Sequence, residues 1–407
     1  MKYCLVGIKG VAMSGLAKIL LMDEHIVEGI DVNDDYYTIE NLKGIKLYDF
    51  KNYELNRDFT YIIGNSFQNH KIVSEIQKSQ YSFEFYPKFV SKYFEKYDMI
   101  AISGTHGKTM SCSIFKTIFP NVNYLIGDGT SNLTNSNYFL IEACEYKDTF
   151  LKYKPSIGLV LNIDYDHPDY FKSFDDYYLS FIKFMNNCNI CVINGDDVAY
   201  RNKHIITFGM KKDNDFVFKY AKGKVIINDN TFVLPFIGIN YAYNFVGVYV
   251  LLKMIGVKDE VIRSNICDFV FPIRRNERFL HENCLIINDY AHHPTEIKNI
   301  YCSLKEEYKN TNIVCIFEPH TITRLDKFKE EFKEVLSLFD DCYLYPLFSS
   351  AREKYNSKQV DELYSFLGYK IYDENIIDEL INENIVICFL GAGVINVEFN
   401  KIKNRFI

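Results

Sequence analysis

The string Ser103-Gly-Thr-His-Gly-Lys-Thr109 places a lysine and a hydroxyl directly behind two glycines. Glycines let an anion approach the backbone, N–H groups at a helix start converge on it, and Lys108 adds a movable positive charge. The chemistry such a set suits is the binding of a nucleotide polyphosphate, with Thr109 offering its hydroxyl to a magnesium ion. The spacing is the shorter G-x-x-G-K-T, because Ile102 stands where the longer phosphate loop has glycine. Downstream, Glu142, Asp164, Asp166 and His167 follow apolar runs. Hard oxygen ligands with one imidazole suit magnesium beside a triphosphate, and solvated acids in strand-end loops are the alternative. Near the N-terminus, glycines at 7, 10 and 15 precede a run that ends in Asp31. Their spacing departs from the dinucleotide fingerprint, so two readings stay open: a diphosphate loop whose acid meets a ribose or base, or a structural opening with glycines kept for packing.

These residues need strands and helices to carry them. Met99–Ile102 reads as a buried strand, the glycine turn follows, and 111–119 has helical apolar spacing;. Residues 3–31 repeat the theme, with Tyr61–Ile63 and a helix over 71–78 after them. Between 205 and 235 short alternating runs predict a small antiparallel patch, and a helix is expected from about Asn240 to Met254;. From 271 onward, apolar strands at 285–287, 313–317, 343–345 and 386–390 alternate with helical stretches at 293–308 and 324–339, and Gly391-Ala-Gly393 opens a last helix. Such alternation builds a mostly parallel sheet. The expected fold class is α/β, with three domains each built on a mostly parallel sheet with helices on its faces: Rossmann-like, then ATPase-like with a phosphate loop, then Rossmann-like.

Composition bounds the partners. A chain of 407 residues exceeds one compact core;. A net charge of −7 argues against nucleic acid as the main partner, since phosphate recognition over a broad surface needs a basic face;. Eleven cysteines lie mostly inside apolar runs, the usage of small buried hydrophobes in a reducing compartment;. Cys188-Asn-Ile-Cys191 has metal or redox spacing but lacks a second pair;. The N-terminus lacks a signal-peptide layout and no apolar run reaches membrane-spanning length, so a cytoplasmic protein with no membrane partner is expected;.

Taken together and in order, these strings resemble the Mur ligases of bacterial cell-wall synthesis, over nearly the whole chain. Gly7-Ile-Lys-Gly-Val-Ala-Met-Ser-Gly-Leu-Ala17 is similar to the family's N-terminal loop and Gly104–Thr109 to its ATP loop. Leu125–Thr130 and Glu142-Ala-Cys-Glu-Tyr146 resemble the Gram-positive version of the family's alanine-adding branch, Asn162–Phe171 its central metal segment, and Asp289–Glu296 and Pro319–Arg324 signatures around the third domain. The resemblance implies three domains, 1–97 for a UDP-sugar, 98–268 for ATP and 269–407 for an amino acid. It implies ligation of L-alanine to the lactyl carboxylate of UDP-N-acetylmuramate through an acyl phosphate, with ATP and Mg2+, in a monomer or weak homodimer. By likeness, Lys108, Glu142 and His167 are catalytic, and Thr109, Glu142 and His167 ligate the metal. Gly104, Thr105, His106, Gly107, Lys108, Thr109, Asn244, Arg274 and Asp289 hold ATP. Lys9, Gly10, Met13, Ser14, Asp31, His70, His292, His320, Arg324 and Arg352 contact the other substrates. Two departures stand out: Gly238-Ile-Asn240-Tyr241 where the family has Gly-x-His-Asn, and Lys9 where it often has glycine. Alternatives are a relative that attaches another amino acid or a recycled peptide, and a non-catalytic nucleotide-binding relative. A dinucleotide oxidoreductase would leave residues 104–109 without a purpose.

Overall fold

The computed structural model describes residues 1–33, 37–348, 357–381 and 383–406. The chain forms two compact units: residues 1–164, 178–218 and 244–268, and residues 165–177, 219–243 and 269–407. All three expected sheets are present, mostly parallel, with helices on their faces.

The first unit holds two sheets. One runs Lys46–Asp49, Ile26–Asp31, Lys2–Val6, Thr60–Ile63, Phe83–Phe85, all parallel. In the other, Ile205–Gly209, Ile190–Asn194, Ile157–Val160, Asp98–Ser103, Tyr138–Glu142 and Asn123–Leu125 are parallel neighbours, and Ser131–Asn132 closes the edge antiparallel. The two sheets meet through the helix Val11–Met22. A Cβ on its Gly15 would stand 2.6 Å from Leu125 Cδ1, and the Ser131 hydroxyl donates to the Gly15 carbonyl at 2.8 Å. Gly15 is therefore a close-packing glycine, the structural alternative left open above for this position.

The second unit contains the sheet Glu277–His281 (antiparallel edge), Cys284–Asp289, Ile385–Leu390, Asn312–Phe317, Asp341–Leu344, Lys370–Ile371. Its central strands show why their sequences are continuously apolar. Ile313, Cys315 and Phe317 face one core, while Val314 and Ile316 face the other. A parallel strand covered on both faces has no solvent side to alternate with. The register aligns Cys315 with Cys342 and with Cys388, so these thiols form one buried row that packs as small hydrophobes;. All eleven cysteines are free thiols, and the Cys188/Cys191 pair is buried, its Sγ of Cys188 lying over Gly158.

One expectation is corrected. The stretch 324–339 is two helices, Ile322–Lys327 and Lys329–Leu336, because Phe328 leaves helical geometry (φ −115°, ψ 24°) and buries its ring. The antiparallel patch is present in the hairpin Lys224–Ile227 with Asn230–Val233, and Phe216–Ala221, which borders it in the sheet, also pairs parallel with Phe208 and Gly209 through Phe216 and Val217. The helix expected from Asn240 is Ile239–Met254. Among the described residues no helix is long and apolar enough to cross a membrane.

Candidate functional site

The strand Asp98–Ser103 delivers the chain into the glycine turn, and the helix Lys108–Ile118 starts at Lys108 itself. Gly104 (φ +135°) and Gly107 (φ +84°) adopt backbone conformations that side chains resist;. Space adds to the demand, because a Cβ on Gly107 would stand 2.5 Å from Asn244 Oδ1. Neighbouring strand ends clamp the turn. The Thr105 hydroxyl donates to the Asp164 carbonyl at 2.8 Å, the His106 amide donates to Asn162 Oδ1 at 2.8 Å, and Asn162 Nδ2 returns a bond to the His106 carbonyl at 3.0 Å. The His106 ring lies 2.9 Å from an Asp164 oxygen.

Lys108 Nζ donates to the carbonyls of Gly104 (2.6 Å) and Thr105 (2.9 Å) and to Glu145 Oε2 (2.9 Å). Burial opposes its charge, but the carboxylates of Glu145 and Glu142 outweigh that and raise its pKa;. Glu142 ends the strand Tyr138–Glu142 and accepts from the Gly127 amide at 2.8 Å, with the Thr109 hydroxyl beside its carboxylate. Burial raises the Glu142 carboxyl, opposed by Lys108, the Gly127 amide and Thr109. A Cβ on Gly127 would sit 2.4 Å from Glu142 Oε1, so only glycine admits the carboxylate there. The fold thus brings Lys108, Thr109 and Glu142 together, and a hydroxyl beside a carboxylate fits a hard divalent cation.

The first glycine loop is tied down differently. The Lys9 amide donates to Asp31 Oδ2 at 2.7 Å, Lys9 Nζ to the Val32 carbonyl at 2.7 Å, and the Thr38 hydroxyl to the Lys9 carbonyl at 2.5 Å. Gly10 caps the helix Val11–Met22; Met13 lies beside Gly64, and the buried Ser14 hydroxyl bonds the Val11 carbonyl at 2.9 Å. His70 caps the helix Lys71–Lys78, accepting from the Ile72 amide at 3.3 Å, and stacks on Phe50 at 4.2 Å; burial lowers its pKa. Ser14 and His70 both do local structural work where substrate contact is expected.

In the second unit Asp166 is not a solvated strand-end acid. Arg324 grips it through Nε (3.1 Å to Oδ1) and Nη2 (2.9 and 3.1 Å to Oδ1 and Oδ2), both residues buried. Burial opposes both charges, but each holds the other ionised, with Asp166 well below the carboxylate range. His167 follows at φ +56°, its amide bonded to Asp166 Oδ1 at 2.7 Å. Arg274 (φ +62°) donates to the Gly391 and Gly393 carbonyls at 3.1 and 3.0 Å and lies over the Tyr290 ring. Asp289 accepts from the Asn276 and Ala291 amides at 2.6 and 2.8 Å, and burial, against Arg275, pushes it up to about 6. His292 lies 2.9 Å from the Tyr290 carbonyl and 5.5 Å from the His320 ring; burial, then Arg324, lowers its pKa. Arg352 lies outside the described residues. The Gly391–Gly393 turn already has an anion: Glu318 accepts from the Gly393, Val394 and Ile395 amides.

Residues 102–252 match the Mur ligase middle domain. This stretch of the chain is a Mur ligase middle domain. The whole chain carries the Mur ligase three-domain fold. It is similar to the UDP-N-acetylmuramate-alanine ligase of Thermotoga maritima, with a TM-score of 0.82 and 23% identity, covering 100% of this chain and 99% of that one. The murein peptide ligase of Psychrobacter arcticus aligns with a TM-score of 0.70 and 18% identity over 100% and 98% of the two chains. A pseudomurein peptide ligase type C from Methanothermus fervidus gives 0.67 and 18% over 99% of each. At these identities the likenesses speak for the fold.

Within the Mur ligase middle domain, several groups have no separate signal in the sequence. Asn162 clamps the loop from 56 residues away, and Glu145 reaches Lys108 from 37. Gly127 is an ordinary turn glycine until the Glu142 carboxylate is seen against it. At the departure from the family string, Tyr241 packs edge-on to Phe236 and Phe271, and Gly238 approaches Ser303 so closely that a Cβ would fall 2.2 Å from its Oγ. That string is used in packing.

Proposed function

We propose that the chain is an ATP-dependent ligase that joins L-alanine to the lactyl carboxylate of UDP-N-acetylmuramate, as the first step of assembling a peptidoglycan peptide. In the reaction the γ-phosphoryl group passes from ATP to the carboxylate, and the amine then displaces phosphate from the acyl phosphate. Such transfers depend on positioning and charge neutralisation more than on covalent help from the protein. The observation that carries the reading is the convergence of the Lys108 ammonium, the Thr109 hydroxyl and the Glu142 carboxylate at the start of the helix Lys108–Ile118.

In this reading the Gly104–Thr109 amides and Lys108 bind the phosphates, with Asn244 packed behind Gly107 to keep the turn in shape. Thr109 and Glu142 hold magnesium, which supplies charge neutralisation when bound. Lys9, Gly10 and Asp31 form the sugar-nucleotide loop, and residues 1–97, 98–268 and 269–407 divide the substrate work as UDP-sugar, ATP and amino-acid domains. The Arg274-Arg275 pair and the Glu142-Ala-Cys-Glu145 string favour a single amino acid over a ready-made peptide.

The test is phosphate release by purified protein given ATP, magnesium and UDP-N-acetylmuramate with alanine, serine, glycine or the tripeptide, using Lys108→Ala as control. Release that requires the sugar nucleotide and is highest with alanine is expected. Release with the tripeptide alone would move the chain to the peptide-recycling branch.

A further inference from the structure

All three N–H bonds of the Lys108 ammonium are used: two on carbonyls of its own loop and one on Glu145;. A phosphate oxygen can reach this lysine only by replacing a protein oxygen, and of the three acceptors only Glu145 carries a charge that repels phosphate. Its aim is built in at some conformational expense. Beginning two residues after it, Lys147 (φ +54°) and Asp148 (φ +55°) are successive non-glycine residues in left-handed geometry, which such residues rarely adopt;. Four anchors hold the turn: the Asp148 amide donates to the Glu145 carbonyl at 2.9 Å, the Asp148 carboxylate accepts from the Ser180 hydroxyl, the Thr149 hydroxyl donates to the Tyr146 carbonyl at 2.8 Å, and Asn65 Nδ2 donates to Thr149 Oγ1 at 3.0 Å. Behind them Phe150 is fully buried and stacked on Phe184 at 4.7 Å. Strain kept at a position locked from several sides is found where a side chain must be aimed.

We propose that Glu145 is a positioning residue for Lys108: its carboxylate holds the ammonium over the glycine loop and surrenders it to phosphate oxygens when nucleotide enters. The inference rests on the ligase reading above. Glu145 never touches the reacting atoms; it keeps a buried cation neutralised and pre-aimed, and it is the competitor that the triphosphate displaces.

The test is calorimetric titration of ATP with magnesium chloride into wild type, Glu145→Gln, Glu145→Asp, Lys108→Ala and the double variant Lys108→Ala/Glu145→Gln, together with kcat and KM for phosphate release. Removing the competing charge of a buried pair should tighten ATP binding about tenfold while kcat falls by a similar factor, because the ammonium is no longer pre-aimed. Glu145→Asp should fall between wild type and Glu145→Gln. In the Lys108→Ala background the gain in affinity should vanish. A purely structural role predicts a lower active fraction with unchanged or weaker ATP binding, and that result overturns the proposal, as does a gain that persists without Lys108. If Glu145→Gln does not fold, Glu145→Asp decides: wild-type affinity and turnover there would refute it. Absence of ATP binding by the wild-type protein would instead bring down the ligase reading itself, and this inference with it.

Discussion

Two buried ion pairs in this protein look alike on paper and differ in kind. Arg324 and Asp166, each under a tenth exposed, meet through a two-pronged fork with three contacts of 2.9–3.1 Å. Lys108 and Glu145 are comparably buried, yet share a single 2.9 Å contact, and the lysine's other donors rest on carbonyls of a glycine turn. A guanidinium is a rigid fork that fits one partner; an ammonium is a compact point charge that can swing between acceptors. The first arrangement is suited to holding structure and the second to exchanging partners. A buried pair is therefore not informative by its burial alone: the number and replaceability of its contacts decide what it is for.

This contrast can be broken at either end. The largest effect is expected from Asp166→Asn, which leaves the buried Arg324 without its carboxylate and should cost about 3–5 kcal/mol in denaturant unfolding; a loss below 1 kcal/mol would show that the fork is dispensable. Next comes Lys108→Ala. It should lower phosphate release per folded molecule by about 10²–10³-fold, the scale of removing one transition-state charge donor, and it should also cost stability, because Glu145 is left buried without its cation;. Wild-type turnover in that variant would remove the exchangeable pair from the chemistry.

Asp289 sharpens the comparison, being a buried carboxylate held by two backbone amides. Its folded pKa of about 6 lies above the unfolded value near 3.8, so the folded state binds the extra proton between those pH values;. Stability from this group is greatest below the unfolded pKa and falls as pH rises through about 6, a loss on the order of 3 kcal/mol. The difference between wild-type and Asp289→Asn unfolding curves from pH 4 to 7 should show that slope; parallel curves would contradict it. Asp166 should behave oppositely, its contribution complete at neutral pH and lost only in acid. The smallest effect is Arg324→Lys, which keeps the charge but not the fork and should cost about 1–3 kcal/mol. A neutral outcome would mean that charge alone suffices there.

Much of the architecture is legible in the sequence alone. The apolar run Met99–Ile102, the two glycines and Lys108 declare a strand, a turn and a helix, because each residue type suits a local conformation;. The alternation after residue 271 declares a parallel sheet for the same reason. The break at Phe328 was not legible, since its cause is burial of a ring against a core assembled from distant strands.

What the chain determines by itself is thus local and periodic: where strands and helices run, where glycine permits a turn, and that a lysine and a hydroxyl stand at a helix start. Only the folded molecule decided which charges meet. Glu145 reaches Lys108 across 37 residues and Arg324 reaches Asp166 across 158. It likewise decided that the amides after the Gly391–Gly393 turn, which opens the last helix, are taken by Glu318. Hydrogen bonds and ion pairs act over a few ångströms of space, and sequence separation carries no record of that distance until the sheets bring their strand ends together.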